Sequence, residues 1–233
     1  MESSILSKVN NIGKLRLPTD ALDDEIISEI NAALDKVEED ENLRCLVLAS
    51  EGENFCKSTE TSEDIKLLLE RIKNFYLPII GMIQGAATGT GFDLALATDF
   101  RFVSDDAEFG WVNAGLKDEE SLKEILGSRE IGNTDLNSGK IDSQKAAELG
   151  IANRVITKGE LERTVMLTAT KIADNAPIAV REAKVCINMA FKVPIEEGKK
   201  AELEAYMKCI ASEDIQEGVA AVFQKRKPQF KGK

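Results

Sequence analysis

Pro78-Ile-Ile-Gly-Met-Ile-Gln-Gly85-Ala-Ala-Thr-Gly89-Thr90-Gly91-Phe92-Asp93-Leu-Ala-Leu-Ala-Thr-Asp99 is the stretch on which the reading of this chain turns. It opens with a short apolar run, Ile79 to Ile83, bounded by Pro78 and Gly85, as expected of a strand buried on both faces. Three glycines then fall within seven residues, at Gly85, Gly89 and Gly91. Such spacing lets the backbone take positive φ and approach a ligand without Cβ interference. Phe92, Leu94, Ala95, Leu96 and Ala97 read as a buried helix. Strand, glycine turn and helix together place free backbone N–H groups at a helix N-terminus, a seat for an oxyanion or a phosphate. The competing reading is a tight turn that simply packs a helix on a strand. Two nucleotide motifs fail here. A dinucleotide fingerprint needs a third glycine where Leu94 stands, and a phosphate-loop NTPase needs a Gly-Lys-Ser/Thr that does not follow.

Upstream, Leu15-Arg-Leu17 reads as a short strand ending at Pro18. Asp20 is expected to cap a helix with an acidic first turn, Asp23 to Glu25, whose apolar face is Leu22, Ile26, Ile27, Ile30, Ala33, Leu34 and Val37. Leu43 to Ala49 is a second strand, Phe55-Cys-Lys-Ser-Thr opens a polar loop, and Ile65 to Phe75 is an amphipathic helix. Downstream, Phe100 to Val103 is a strand, Phe109-Gly-Trp-Val-Asn is a loop or short strand, and Asp118 to Leu126 is an acidic helix. Ser143 is expected to cap a short helix stopped by Gly150, with a last strand over Ala152 to Ile156. From about Glu160 every segment reads helical. Alternating strands and helices followed by an all-helical end indicate an α/β core with a helical C-terminal extension.

Composition narrows the chemistry. The 233 residues are enough for a substantial core, with 43% apolar and 30% charged residues, the ordinary balance of a soluble globular protein. No apolar run approaches a membrane span, no secretory signal is visible, and the four cysteines (Cys45, Cys56, Cys186, Cys209) lack metal or disulfide spacing. Reduced cysteines in a cytoplasmic protein are therefore expected. A net charge of −11 argues against a nucleic-acid surface, although the tail from Lys225 through Arg226 and Lys227 is basic. The chain holds no histidine. Histidine acid–base chemistry, Ser-His-Asp and Cys-His nucleophiles, and histidine metal sites are excluded, leaving carboxylates, Lys, Tyr, Cys or backbone dipoles.

Taken together, these segments resemble the crotonase (enoyl-CoA hydratase/isomerase) superfamily over nearly the whole chain. The landmarks are Leu43-Arg-Cys-Leu-Val-Leu before Glu53-Asn-Phe-Cys, the glycine stretch followed by Thr98-Asp-Phe-Arg, and Ala107-Glu-Phe-Gly. Ser138-Gly-Lys-Ile-Asp, Ala146-Ala-Glu-Leu-Gly-Ile-Ala-Asn-Arg-Val, Ala176-Pro-Ile-Ala-Val-Arg-Glu-Ala-Lys and the basic C-terminal segment follow in order. The resemblance implies an α/β fold, a crotonase-like spiral of ββα units over residues 1–158, with a helical oligomerisation region over 159–233 that builds a homotrimer or a dimer of trimers. Apolar stripes at Leu161, Val165, Leu167 and Ile172 and at Ile187, Met189 and Ala190 agree with an interface.

The resemblance further implies a coenzyme A thioester as substrate, with no permanently bound cofactor and no metal. Two backbone N–H groups would hold the thioester oxygen while an enolate forms, and by position they fall on Thr59 and Thr90. Asp93 stands where hydratases carry one catalytic glutamate, and Asn113 near the second. Glu60, beside the first donor, is the next carboxylate. Gly89, Gly91, Lys57 and Lys225 are the candidates for binding coenzyme A, the two lysines at its phosphates. The departures matter: Lys57-Ser-Thr-Glu60 replaces the usual Ala-Gly-Ala-Asp, Thr90 replaces the middle glycine, and Asn113 cannot trade protons. Three readings follow. The first is an enzyme of acyl-CoA enolate chemistry, by hydration or double-bond isomerisation. The second is a degenerate crotonase serving as a non-catalytic binding or scaffolding subunit. The third, weakest, is a nucleotide-binding α/β domain.

Overall fold

The computed structural model describes residues 5–17, 21–111, 139–190 and 192–233. Asn113, Asp20 and the acidic helix expected over Asp118 to Leu126 lie outside these ranges. The first sheet is built from β1 (Leu6–Val9), β2 (Ile12–Leu17), β3 (Cys45–Ser50), β4 (Ile79–Ile83), β6 (Phe100–Ser104) and β9 (Arg154–Ile156), in the order β1-β2-β3-β4-β6-β9. Only β1 runs antiparallel to its neighbour; every other pair is parallel. A second, three-stranded sheet has the order β5 (Ala86–Thr88), β7 (Glu108–Gly110), β8 (Lys140–Asp142).

The two sheets are two walls of one spiral, and successive turns place a strand in each. β4 steps across to β5 and then into α3 (Thr90–Ala97), and β6 steps across to β7. The turn before them follows the same path: after β3, Cys56 forms a parallel bridge with Ala87, and the chain then enters α2 (Glu63–Lys73). This is the spiral of ββα turns that the resemblance implies. It is what brings residues 56–60 and 88–93, distant in sequence, side by side.

Alternation along the strands explains why both faces of the first sheet are apolar. Leu46, Leu48, Ile79 and Ile83 face the main core, where α1 (Asp24–Glu38) buries Ile26, Ile27, Ile30, Ala33, Leu34 and Val37, and α2 buries Ile65, Leu68 and Ile72. Cys45, Val47, Ala49, Ile80 and Met82 point the other way, onto α5 (Lys158–Ala173). There Leu161, Val165, Ala169 and Ala173 close the second face. Leu161 and Val165 are thus used up by the core and are unavailable to an interface, which corrects that part of the expected stripe. Burial pushes the Cys45 thiol up to about 12, so this cysteine is a packing residue.

α6 (Pro177–Met189) is held to the sheet by a buried charge. Lys184 Nζ donates to Asp99 Oδ2 at 2.7 Å and to the Leu77 carbonyl at 3.0 Å, while Asp99 Oδ2 also accepts the Ile79 N–H at 2.7 Å. Desolvation outweighs attraction in both partners, raising the Asp99 pKa and lowering that of Lys184. α7 (Ile195–Ala211) packs on α6, and α8 (Glu213–Phe223) on α7. Residues 226–233 fold back over this end. Asp214 accepts the N–H groups of Lys231 (2.7 Å) and Gly232 (2.8 Å), and Arg44 donates to the Phe230 carbonyl.

Two expected caps move by a residue or more. The first helix is capped by Asp23, which accepts the Ile26 N–H at 2.9 Å, rather than by Asp20; an acidic run offers several oxygens, and the one three residues before a free amide wins. Asp142, not Ser143, caps α4 (Ser143–Glu148), because the Ser143 hydroxyl donates to the Asp105 carbonyl at 3.1 Å. The first strand expected, Leu15 to Leu17, is the end of a longer one and is preceded by a hairpin through Asn10, at φ 54. Among the described residues no helix is long and apolar enough to cross a membrane.

Candidate active site

The site is a layer of backbone on backbone. Phe55 and Cys56 donate to the Ala86 carbonyl at 3.0 and 3.1 Å, and Thr88 returns a bond to the Cys56 carbonyl at 2.9 Å. Gly89, at φ 59, then turns the chain into α3. A Cβ at Gly89 would stand 2.4 Å from the Ser58 carbonyl oxygen, and one at Gly91 would stand 2.1 Å from that of Cys56. Neither approach survives a side chain, which is why this seam needs glycine. Gly89 N–H donates to the Gly110 carbonyl at 2.9 Å, tying the layer to β7.

Four of the residues singled out in the sequence therefore meet here: Thr59 and Glu60 on the loop, Thr90 and Asp93 on the first turn of α3. Thr90 is buried, Asp93 is half-buried and Glu60 is exposed. Lys57, exposed, lies on the same loop. The Thr90 N–H donates to the Ser58 carbonyl at 2.7 Å, and Thr90 Oγ1 donates to the Glu60 carbonyl. Gly89 supplies no capping side chain, so the Ser58 carbonyl serves as the cap of α3. Ser58 is the residue that the sequence did not announce, because a main-chain carbonyl carries no side-chain signature.

Trp111 is half-buried and packs on the core, 6.3 Å from the Phe92 ring, with Phe92 in turn edge-on to Phe109 at 5.9 Å. Lys225 follows α8 in the left-handed region (φ 52), its amide donating to the Val222 carbonyl. Its neighbour Arg226 is gripped by the Glu217 carboxylate, at 2.5 Å from Nη1 and 2.8 Å from Nη2, which turns it toward its own helix. Chemically, the arrangement sets the Thr90 N–H, occupied here by the Ser58 carbonyl, at a helix N-terminus whose first turn also carries the Asp93 carboxylate.

Comparison with known proteins points to one family. The family model for enoyl-CoA hydratase/isomerase matches residues 8–233. Enoyl-CoA hydratase domain-containing protein 2, mitochondrial, of Mus musculus is 30% identical, over 91% of this chain and 80% of its own. The short-chain-enoyl-CoA hydratase of Clostridium acetobutylicum is 26% identical, over 89% of this chain and 87% of its own. The crystal structure of enoyl-CoA hydratase from Bacillus anthracis superposes with a TM-score of 0.87 at 28% identity, covering 99% of this chain and 100% of the other.

Proposed function

This chain belongs to the enoyl-CoA hydratase/isomerase family, and on that premise we propose that it is an enzyme acting on a coenzyme A thioester through an enolate held at the N-terminus of α3. The observation that carries the reading is the seam at Gly89 and Gly91, which sets the loop bearing Thr59 against the helix bearing Thr90 and Asp93. Asp93 takes a proton from carbon next to the thioester, the electron pair moves onto the carbonyl oxygen, and the N–H groups of Thr59 and Thr90 stabilise the charge. Returning the proton to another carbon completes a double-bond isomerisation with a single carboxylate. Hydration asks for a second proton-trading group, and the amide of Asn113 cannot be one. Isomerase-type turnover, with slow hydration, is therefore the reaction assigned. Glu60 is the reserve carboxylate, Lys57 and Lys225 meet the coenzyme A phosphates, and neither a metal nor a resident cofactor takes part.

The same reading includes a homotrimer or a dimer of trimers in the cytoplasm, assembled through the C-terminal helices. Ile187, Leu203, Tyr206, Met207, Val222 and Phe223 are all more than half exposed, a larger apolar surface than a monomer usually leaves in water. Asp93→Asn is the deciding variant. It should lower turnover of an enoyl-CoA by about 10²-fold or more while leaving thioester binding in place; unchanged turnover in the folded variant would transfer the role to Glu60.

A second reading, a crotonase fold kept as a binding or scaffolding subunit, is favoured by one observation: the Thr90 N–H is already bonded to Ser58. A thioester titration followed by turnover assays separates the two.

A further inference from the structure

Two hydrogen bonds tie residues 58–60 to the start of α3, and a third shapes the loop itself. The Ser58 carbonyl accepts the Thr90 N–H at 2.7 Å, the Glu60 carbonyl accepts the Thr90 hydroxyl, and Ser58 Oγ, on a residue only 4% exposed, accepts the Glu60 N–H at 3.3 Å. The first of these places a neutral carbonyl oxygen on a helix N-terminus that has no side-chain cap, where the dipole favours negative charge. The second is possible only because residue 90 has a hydroxyl.

We infer that the Ser58 carbonyl is a built-in occupant of the thioester-oxygen seat and that the Thr90 hydroxyl is the latch that holds it there. The resting site is closed, and it opens when residues 57–60 lift from α3. The inference rests on the acyl-CoA reading above. A thioester carbonyl and the Ser58 carbonyl are acceptors of the same kind, so the ligand competes with a group tethered beside the donor. Once charge develops, the enolate oxygen is the stronger acceptor and wins the exchange. Thr90 is in this sense a positioning residue as well as a donor: its main chain serves the ligand and its side chain serves the closed state. The observed affinity is then the intrinsic affinity reduced by the fraction of molecules that are open.

The test uses acetoacetyl-CoA, whose enolate is visible in the ultraviolet, with the unaltered protein, Thr90→Val and Ser58→Ala. Valine keeps the amide donor and the branched Cβ but removes the latch; Ser58→Ala removes the hydroxyl that shapes the turn and leaves Thr90 intact. Each variant should bind the probe about three- to tenfold more tightly, the scale of one hydrogen bond. The gain should lie in association, with the observed binding rate of the unaltered protein levelling off as probe is raised and that plateau rising in the variants. Exchange of the residue 90 amide in the free protein should be faster in both. Equal or weaker binding with an unchanged association rate in whichever variant folds would overturn the gate while leaving the acyl-CoA reading standing. Failure of all three proteins to bind the probe would overturn that reading, and the gate with it.

Discussion

At position 90 the main chain and the side chain can be separated by substitution, because only one of them carries the proposed chemistry. Thr90→Gly removes the hydroxyl and the Cβ but keeps the amide, so the fold and turnover should both survive, with a wider pocket floor. Thr90→Pro removes the amide at the first residue of α3, a position where proline is compatible with a helix. It should cost about 10²–10³-fold in kcat on an enoyl-CoA, the loss typical of one deleted oxyanion donor. Similar kcat in the two variants, both folded by circular dichroism, would take Thr90 out of the oxyanion role. The glycines were legible from sequence because an unusual backbone demands an unusual residue: Gly89 has φ 59 and Gly91 lies under the Cys56 carbonyl. The grip of Ser58 on Thr90 was not legible, since any residue at 58 presents the same carbonyl.

Whole elements are held by a few polar contacts whose loss should be measurable. Lys184 is 8% exposed and satisfies both Asp99 and the end of the segment leading into β4. Lys184→Met leaves a half-buried carboxylate without its ion-pair partner and should destabilise the protein by about 3 kcal/mol in urea unfolding; adding Asp99→Asn should recover part of that loss. A cost near zero would mean that water already reaches the pair. The clasp on the tail has a pH signature. Glu217, bonded by Arg226 and by the Gln229 N–H, has its pKa lowered from the ordinary 4.5 to about 2. A depressed carboxyl pKa contributes stability that is complete above the unfolded value and fades as pH falls through the folded one. The clasp should therefore hold above about pH 4.5 and loosen toward pH 2. Amide exchange at Gln229 should follow that window in the unaltered protein and lose it in Glu217→Gln. The long helices and central strands were readable from periodicity, α1 and β4 above all. β5, β7 and β8 were harder, each three residues long and defined by partners far away in sequence, such as Ala86 with Glu108. The hairpin before β2 did carry a signal in Asn10-Asn11, a two-residue turn of residues that tolerate positive φ.

For the molecule as a whole, the unanswered apolar surface is concentrated at the C-terminal end, where Val222 is 77% and Phe223 85% exposed. Phe223→Glu should reduce the mass seen by light scattering at micromolar concentration toward that of one chain, without lowering helix content. A trimeric mass in that variant would move the interface away from α8. The expectation of an interface came from apolar helices, and the structure divided them: Leu161 and Val165 went to the core, while Leu167 and Ile187 stayed outside. Sequence alone could not make that division, because a stripe facing a sheet and a stripe facing another chain have the same period. The spiral also fixes an order in time. The β1–β2 hairpin closes between near neighbours, Val9 with Ile12, and can form early. Each parallel pair must wait for a longer segment to close, the shortest running from Ile80 to Phe100 and the longest from Phe102 to Arg154, so β9 is expected to join the sheet last. During that interval Ile80, Met82 and Phe102 have no α5 over them, and the slowest step of folding is also the one in which this chain is most exposed to aggregation.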